Sequence, residues 1–262
     1  MNGLTIVITR PRAQASASAA WFESFGASVI TFPVLEIEAL PDAIIEEHFS
    51  RRDLSAANTI IFVSANAAEF GVSAIENRGG FPSGAAIFAI GSATAARLQD
   101  HGLANIESPT HGNDSEALLA LPQLQNVQGQ KIVIVRGISE SGGRAHLKQT
   151  LRTRGASVSM LECYVRRSIL AGEALRAELK AALTERKVHA FSVLSVETLH
   201  SLVLNLTDAN MAEGLSECMM LVPHPRVAEA ALKMGFAKVS VVPMGGEPLH
   251  AALLKLKPAL LG

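Results

Sequence analysis

The chain has 262 residues, 48% hydrophobic and 18% charged, and its 23 Lys and Arg nearly balance 24 Asp and Glu. This composition supports a sizeable core, so a disordered chain is excluded. Near-neutral charge also removes any bulk attraction for nucleic acid, and an anionic partner must be held by local features.

Cys163 and Cys218 lack metal-type spacing, and a chain of this length needs no disulfide framework, which fits a reducing compartment. The start, MNGLTIVITRP, holds too short an apolar run for a signal peptide. No run approaches the roughly 18 apolar residues of a membrane helix. A soluble, cytoplasmic protein with no membrane or nucleic-acid partner is expected.

The first predicted strand is TIVIT (5–9), ending at Arg10 and Pro11, with a helix-like stretch after it. GASV (26–29) opens a second strand, and PVLEIEALPD (33–42) alternates polar and apolar residues as a strand-like connector. TIIFV (59–63) meets a helix at Ser64, Ala65 and Asn66. AIFAI (86–90) meets one at Gly91, Ser92 and Thr94. KIVIV (131–135) ends on Arg136 and Gly137, ahead of another helix-like stretch. A second GASV (155–158) leads into LECYVRRSILAG (161–172), which holds the single tyrosine, Tyr164. Strand alternation puts Tyr164 on one face with Glu162 and Arg166, and Leu161, Cys163 and Val165 on the other. HAFSVLS (189–195) ends on Ser195, MMLV (219–222) leads to His224, Pro225 and Arg226, and GGEPLHAALLKL (245–256) reads as a last helix.

These elements contain a duplication. TIVITR and KIVIVR each run through a helix to an identical GASV. NTIIFVSANAAEF is similar to HAFSVLSVETLH, and AIFAIGSATAARLQDHG to MMLVPHPRVAEAALKMG. Gly91 to Gly102 and His224 to Gly235 are both spans of 11 residues (102 − 91 and 235 − 224). Strands alternating with helices imply parallel sheets covered on both faces. Continuous apolar runs are what such doubly buried strands require. The expectation is α/β, two doubly wound parallel-sheet domains. The two connectors pair as a two-stranded ladder, so the chain crosses between domains twice. The repeat alone suggests a division near residue 130.

Several chemistries are excluded by motif. No GxGxxG follows the first strand, and no GxxxxGK[ST] or GxSxG is present. The eight histidines have no zinc-ligand spacing. Basic runs are short and not interleaved with aromatics, as a single-stranded nucleic-acid site would need. What remains is the set of strand-to-helix junctions: Arg10; Ser64, Ala65 and Asn66; Gly91, Ser92 and Thr94; Arg136 and Gly137; Ser195; His224 and Arg226. Free N–H groups at helix N-termini, with Ser or Asn caps, attract anions. A ligand carrying many carboxylates suits them. Each also has a plainly structural reading: Ser64 and Ser92 as ordinary N-caps, Arg10 and Arg136 as solvated strand ends, His224 as a turn residue between prolines, Tyr164 as a strand tyrosine.

The order VITRP, FVSANAA, AIGSATAARLQDHG and IVRG…GGRAHLKQTLRTRGASV…CYVRR resembles the uroporphyrinogen-III synthase family. The resemblance covers nearly the whole chain. It is closest at Thr9 to Pro11, Ile90 to Gly102 and Val135 to Arg167, and weaker from Ser168 to Gly262. It implies two flavodoxin-like domains, 1–35 with 170–262 and 38–165. Segments 34–38 and 161–169 would form the two-stranded β ladder, with a ligand cleft between the domains. The implied reaction cyclises the linear tetrapyrrole hydroxymethylbilane, with inversion of ring D and loss of water, without cofactor or metal. The substrate's acetate and propionate groups would supply carboxylates for the junctions above. Tyr164 matches the family's tyrosine and would donate a proton, since a phenol is protonated at neutral pH. A monomer is implied, open to transient contact with the preceding pathway enzyme.

There are departures from the family's pattern. Thr-Ser is frequent where this chain has Val63-Ser64 and Leu194-Ser195, so one hydroxyl is lost at each place. Pro225 supplies no N–H. The other reading is a non-enzymatic binding or regulatory module closing on an anionic ligand.

Overall fold

A computed structural model describes residues 1–138, 145–206, 214–215 and 217–261. Residues 139–144, where the second repeat was expected to begin its helix, lie outside them. The chain divides into two compact units, Met1–Glu36 with Arg167–Gly262, and Ile37–Arg166. It does not divide near residue 130. The strand-helix-strand start of the chain joins the strands of the last third, and the middle segment packs with itself.

In unit 1 the elements are β1 (Thr5–Ile8), α1 (Arg12–Ser24), β2 (Ser28–Thr31), α8 (Glu173–Thr184), β9 (Ala190–Ser192), α9 (Val196–Asn205), β10 (Met219–Val222), α10 (Pro225–Lys233), β11 (Val239–Val241) and α11 (Gly246–Leu261). The strands form a parallel sheet in the order β11-β10-β9-β1-β2. Alternate side chains feed a core on each face. Val7, Phe191, Met220 and Val222 enter one, and Ile6, Ile8, Ala190 and Leu221 the other.

Unit 2 contains α2 (Asp42–His48), α3 (Arg51–Ser55), β4 (Thr59–Phe62), α4 (Ala65–Glu76), β5 (Ala86–Ala89), α5 (Ser92–Asp100), β6 (Ile106–Glu107), α6 (Ser115–Leu119), β7 (Lys131–Ile138) and α7 (Ala145–Thr153). The unit boundaries fall inside β3 (Leu35–Ala39) and β8 (Ser157–Ser168). Its sheet runs β3-β8-β7-β4-β5-β6. β8 to β6 are parallel, as their registers show. β3 lies antiparallel to β8, since Leu40 N–H donates to Cys163 O while Ile169 N–H donates to Val34 O.

The duplicated sequence is duplicated structure. Matching β7 and β8 to β1 and β2, and β4, β5, β6 to β9, β10, β11, both sheets have the flavodoxin-like order 2-1-3-4-5. The shared GASV has a local cause. Gly26 and Gly155 end α1 and α7 at φ +81° and +87°, a left-handed cap that glycine takes without a Cβ penalty. Ser64, Asp114 and Ser195 cap α4, α6 and α9 by accepting the N–H of Ala67, Ala117 and Thr198. Among the described residues no helix is long and apolar enough to cross a membrane.

Candidate functional site

Open α/β sheets bind ligands beyond the carboxyl ends of their strands. In unit 2 the neighbouring strands β7, β4 and β5 bring Arg136 and Gly137, Ser64 to Asn66, and Gly91 side by side at that edge. In unit 1 the equivalent strands β1, β9 and β10 do the same for Arg10, Ser195 and His224.

Tyr164 does not sit where strand alternation places it. β8 carries a bulge against β7: Arg136 is opposite Glu162, but Gly137 is opposite Tyr164, so Cys163 is the extra residue. A bulge reverses the side-chain faces that follow it. Tyr164 therefore joins Leu161 and Cys163 in the core and leaves Glu162 on the other face. It is buried, at 5% exposure, not set on a polar face. Gly137 makes room, since a Cβ there would overlap the Tyr164 ring. Phe70 packs with its centroid 5.6 Å from the tyrosine's, and the Arg166 guanidinium carbon is 6.0 Å from the ring centroid. The Tyr164 hydroxyl lies 3.1 Å from Ser64 Oγ. Ser64 Oγ also accepts the Ala67 N–H at 2.9 Å, so the pair is anchored to the N-terminus of α4.

Arg136 is not a solvated strand end. Its Nε donates to Gly137 O at 2.9 Å and is 3.7 Å from Glu162 Oε1, the register partner across the bulge. Gly91 is the residue before α5, in extended backbone, and Ser92 is the exposed first helical residue, so Ser92 is not the N-cap. Asn113 lies against Gly91, where any Cβ would overlap its side chain. Thr94 is buried at 3% exposure, which leaves it little surface to offer a ligand. Ala65 and Asn66 are half-buried in the first turn of α4.

In unit 1, Ser195 Oγ caps α9 at 3.1 Å from Thr198 N and lies 2.9 Å from Thr198 Oγ1. Thr9, buried after β1, donates its hydroxyl to Ser192 O at 2.7 Å. His224 precedes α10 without a side-chain cap bond, Pro225 takes the first helical position, and Arg226 is exposed. Arg10 donates to Ser18 Oγ at 2.9 Å and opens on a cavity of about 220 Å³ between α1 and the start of α11. Burial lowers the Arg10 pKa from its ordinary value. Burial raises both thiols, Cys163 and Cys218, to about 12, so neither is a nucleophile at neutral pH.

Sequence reasoning missed Phe70, Asn113, Ser18 and Trp21. The single tryptophan on the first helix was a visible signal. Asn113 was not, because its place over α5 depends on a loop returning from 22 residues away (113 − 91).

Two parallel-sheet units of flavodoxin-like strand order, each with a strand-end arginine at its carboxyl edge, define a doubly wound α/β protein. The sequence profile described as uroporphyrinogen-III synthase HemD matches residues 16–245. A uroporphyrinogen-III synthase from Salmonella typhimurium is 32% identical over 243 residues, covering 91% of this chain and 94% of the relative. One from Escherichia coli is 29% identical over 245 residues, covering 91% and 94%. The chain belongs to the uroporphyrinogen-III synthase family. For the fold, the crystal structure of a mutant uroporphyrinogen III synthase from Thermus thermophilus aligns with TM-score 0.60 at 21% identity, over 98% of this chain and 99% of that one. The Helicobacter pylori uroporphyrinogen-III synthetase aligns with TM-score 0.60 at 14% identity, over 97% and 99%.

Proposed function

We propose that this chain is a uroporphyrinogen-III synthase, a cyclising lyase that converts hydroxymethylbilane to uroporphyrinogen III with inversion of ring D. The observation that carries the reading is the family match over residues 16–245. The substrate's hydroxyl leaves with a proton as water, giving an azafulvene. The substituted carbon of ring D attacks it, and the resulting spiro intermediate opens and recloses in the inverted sense. Most of the barrier reduction comes from folding a flexible substrate into a reactive pose, which in favourable cases contributes about 7–11 kcal/mol.

Tyr164 is the proton donor in this reading. Its hydroxyl is held by Ser64 at the carboxyl edge of unit 2, and Ser64 is itself held by the Ala67 N–H. The proton given to the leaving hydroxyl returns when the closing ring loses one. Substrate carboxylates are received by the N–H groups and hydroxyls around Ser64, Ala65, Asn66, Gly91, Ser92, Gly137 and Ser195 and by the ring N–H of His224, with Arg10, Arg136 and Arg226 supplying positive charge. Burial makes Thr94 a support for this edge. The protein works as a cytoplasmic monomer, with at most transient contact to the enzyme that supplies its unstable substrate.

The test is to supply hydroxymethylbilane and determine the product isomer. Type III at a rate above the spontaneous reaction is expected. Type I alone, the uncatalysed product, would reject the assignment.

A further inference from the structure

The two strand-end arginines occupy equivalent positions in the two repeats but have different surroundings. Arg136 meets Glu162 across the sheet. In unit 1 the register Ile8↔Thr31, continued two residues, sets Arg10 opposite Pro33. The sequence gives the same correspondence, since Glu162 is seven residues after Gly155 and Pro33 seven after Gly26. The repeat thus keeps the cation in unit 1 and drops its carboxylate. Among the described residues the Arg10 guanidinium has one hydrogen-bond partner, the neutral Ser18 Oγ, and no ion pair. Withdrawing a guanidinium from water without a counter-charge is costly, and burial already disfavours its charged form.

The space in front of Arg10 indicates what kind of anion completes it. Ser18 shares the polar end, while Trp21, Leu194, Met244 and Leu249 form apolar walls. At about 220 Å³ the cavity is smaller than the roughly 300–1,000 Å³ that encloses a drug-sized ligand. It holds one acid arm and an adjoining ring edge, not a tetrapyrrole. Leu194 makes this wall apolar.

We propose that this cavity is a carboxylate subsite of unit 1, in which Arg10 pairs with one acid arm of the substrate while Trp21 and Leu249 cover the arm's apolar carbons. The identity of the acid rests on the synthase reading above; the subsite does not.

Trp21 is the chain's single tryptophan and lines this cavity, so tryptophan fluorescence comes from one residue on its wall. The probe is 3-cyclopentylpropionate, a five-membered ring on a carboxyethyl arm, with the corresponding amide as uncharged control. A saturable change is expected with the acid. Affinity should fall at least tenfold with the amide or in Arg10→Gln, and be largely restored in Arg10→Lys. With hydroxymethylbilane, Arg10→Gln should raise KM about tenfold with a smaller effect on kcat. No saturable response to the acid, or equal affinity in wild type and Arg10→Gln, overturns the subsite. Acid binding that needs Arg10, in a protein that forms no type III product, keeps the subsite and removes the synthase reading.

Discussion

Tyr164 and Ser64 form one unit of two hydroxyls at 3.1 Å, so changes at either position act on both. Tyr164→Phe keeps the packed ring and removes one neutral hydrogen bond, a loss of about 0.5–1.5 kcal/mol in stability. If the phenol is the proton donor, turnover should fall about 100-fold, the low end for general acid catalysis, because water partly replaces it. The product should remain mainly type III; near-normal turnover in a folded variant would make Tyr164 a core residue only. Ser64→Ala removes a helix cap and the partner of the Tyr164 hydroxyl, whereas Ser195→Ala removes a cap and a contact with the Thr198 hydroxyl, with no link to Tyr164. Both should cost about 1 kcal/mol as caps. Only Ser64→Ala should also lower kcat; equal kinetics in the two variants would separate Ser64 from the chemistry. Gly137→Ala tests the same arrangement sterically, since the added methyl overlaps the Tyr164 ring. Overpacking of this kind costs about 1–3 kcal/mol, and activity should fall with it.

At the scale of elements, the helix N-termini along the carboxyl edges are unequal. α4 and α9 begin with a serine whose oxygen accepts an N–H, while α10 begins with His224 and Pro225 and has no side-chain cap. His224→Ser should therefore stabilise the protein by about 0.5–1 kcal/mol, read as a higher urea midpoint. If His224 also meets a substrate carboxylate, the same variant gains stability and loses affinity, a split that a purely structural histidine does not give. Among strands, β8 does two jobs. Its first half is an ordinary parallel partner of β7, and the bulge at Cys163 then turns Tyr164 inward. The strand carries on past the bulge toward the return of the chain at Ile169.

For the whole molecule, the continuous unit Ile37–Arg166 has its own sheet and a core on each face. A fragment 37–166 should fold alone and unfold cooperatively by circular dichroism; a fragment without a transition would show that its cores are not self-sufficient. The two thiols give an alkaline signature. In the unfolded chain they ionise near 9.0, but burial holds them neutral to about 12 in the folded one. Above pH 9 the unfolded state has lost protons that the folded state keeps. Stability therefore falls between pH 9 and 12 and is untouched by these groups below 9. The slope is at most about 1.4 kcal/mol per pH unit per thiol. Urea midpoints at pH 8 and 10.5 should diverge less in a Cys163→Ala, Cys218→Ala variant than in wild type.

The sequence alone carries the strands, the alternation with helices and the duplication, because these depend on local patterns: β-branched runs, GASV at helix ends, and serine at strand ends. It also carries the family, through residues spread along the chain. It does not carry the face of Tyr164. Period-two alternation holds only while the register holds, and the bulge against Arg136 and Gly137 is decided by a partner strand some 27 residues away (164 − 137). The pairing of Arg136 with Glu162, and the lack of such a partner at Arg10 among the described residues, are likewise products of neighbouring strands. How the duplicated halves exchange their first three elements is also a tertiary decision. Each half presents the same apolar strands, and local patterning does not distinguish a sheet completed by nearby chain from one completed by distant chain.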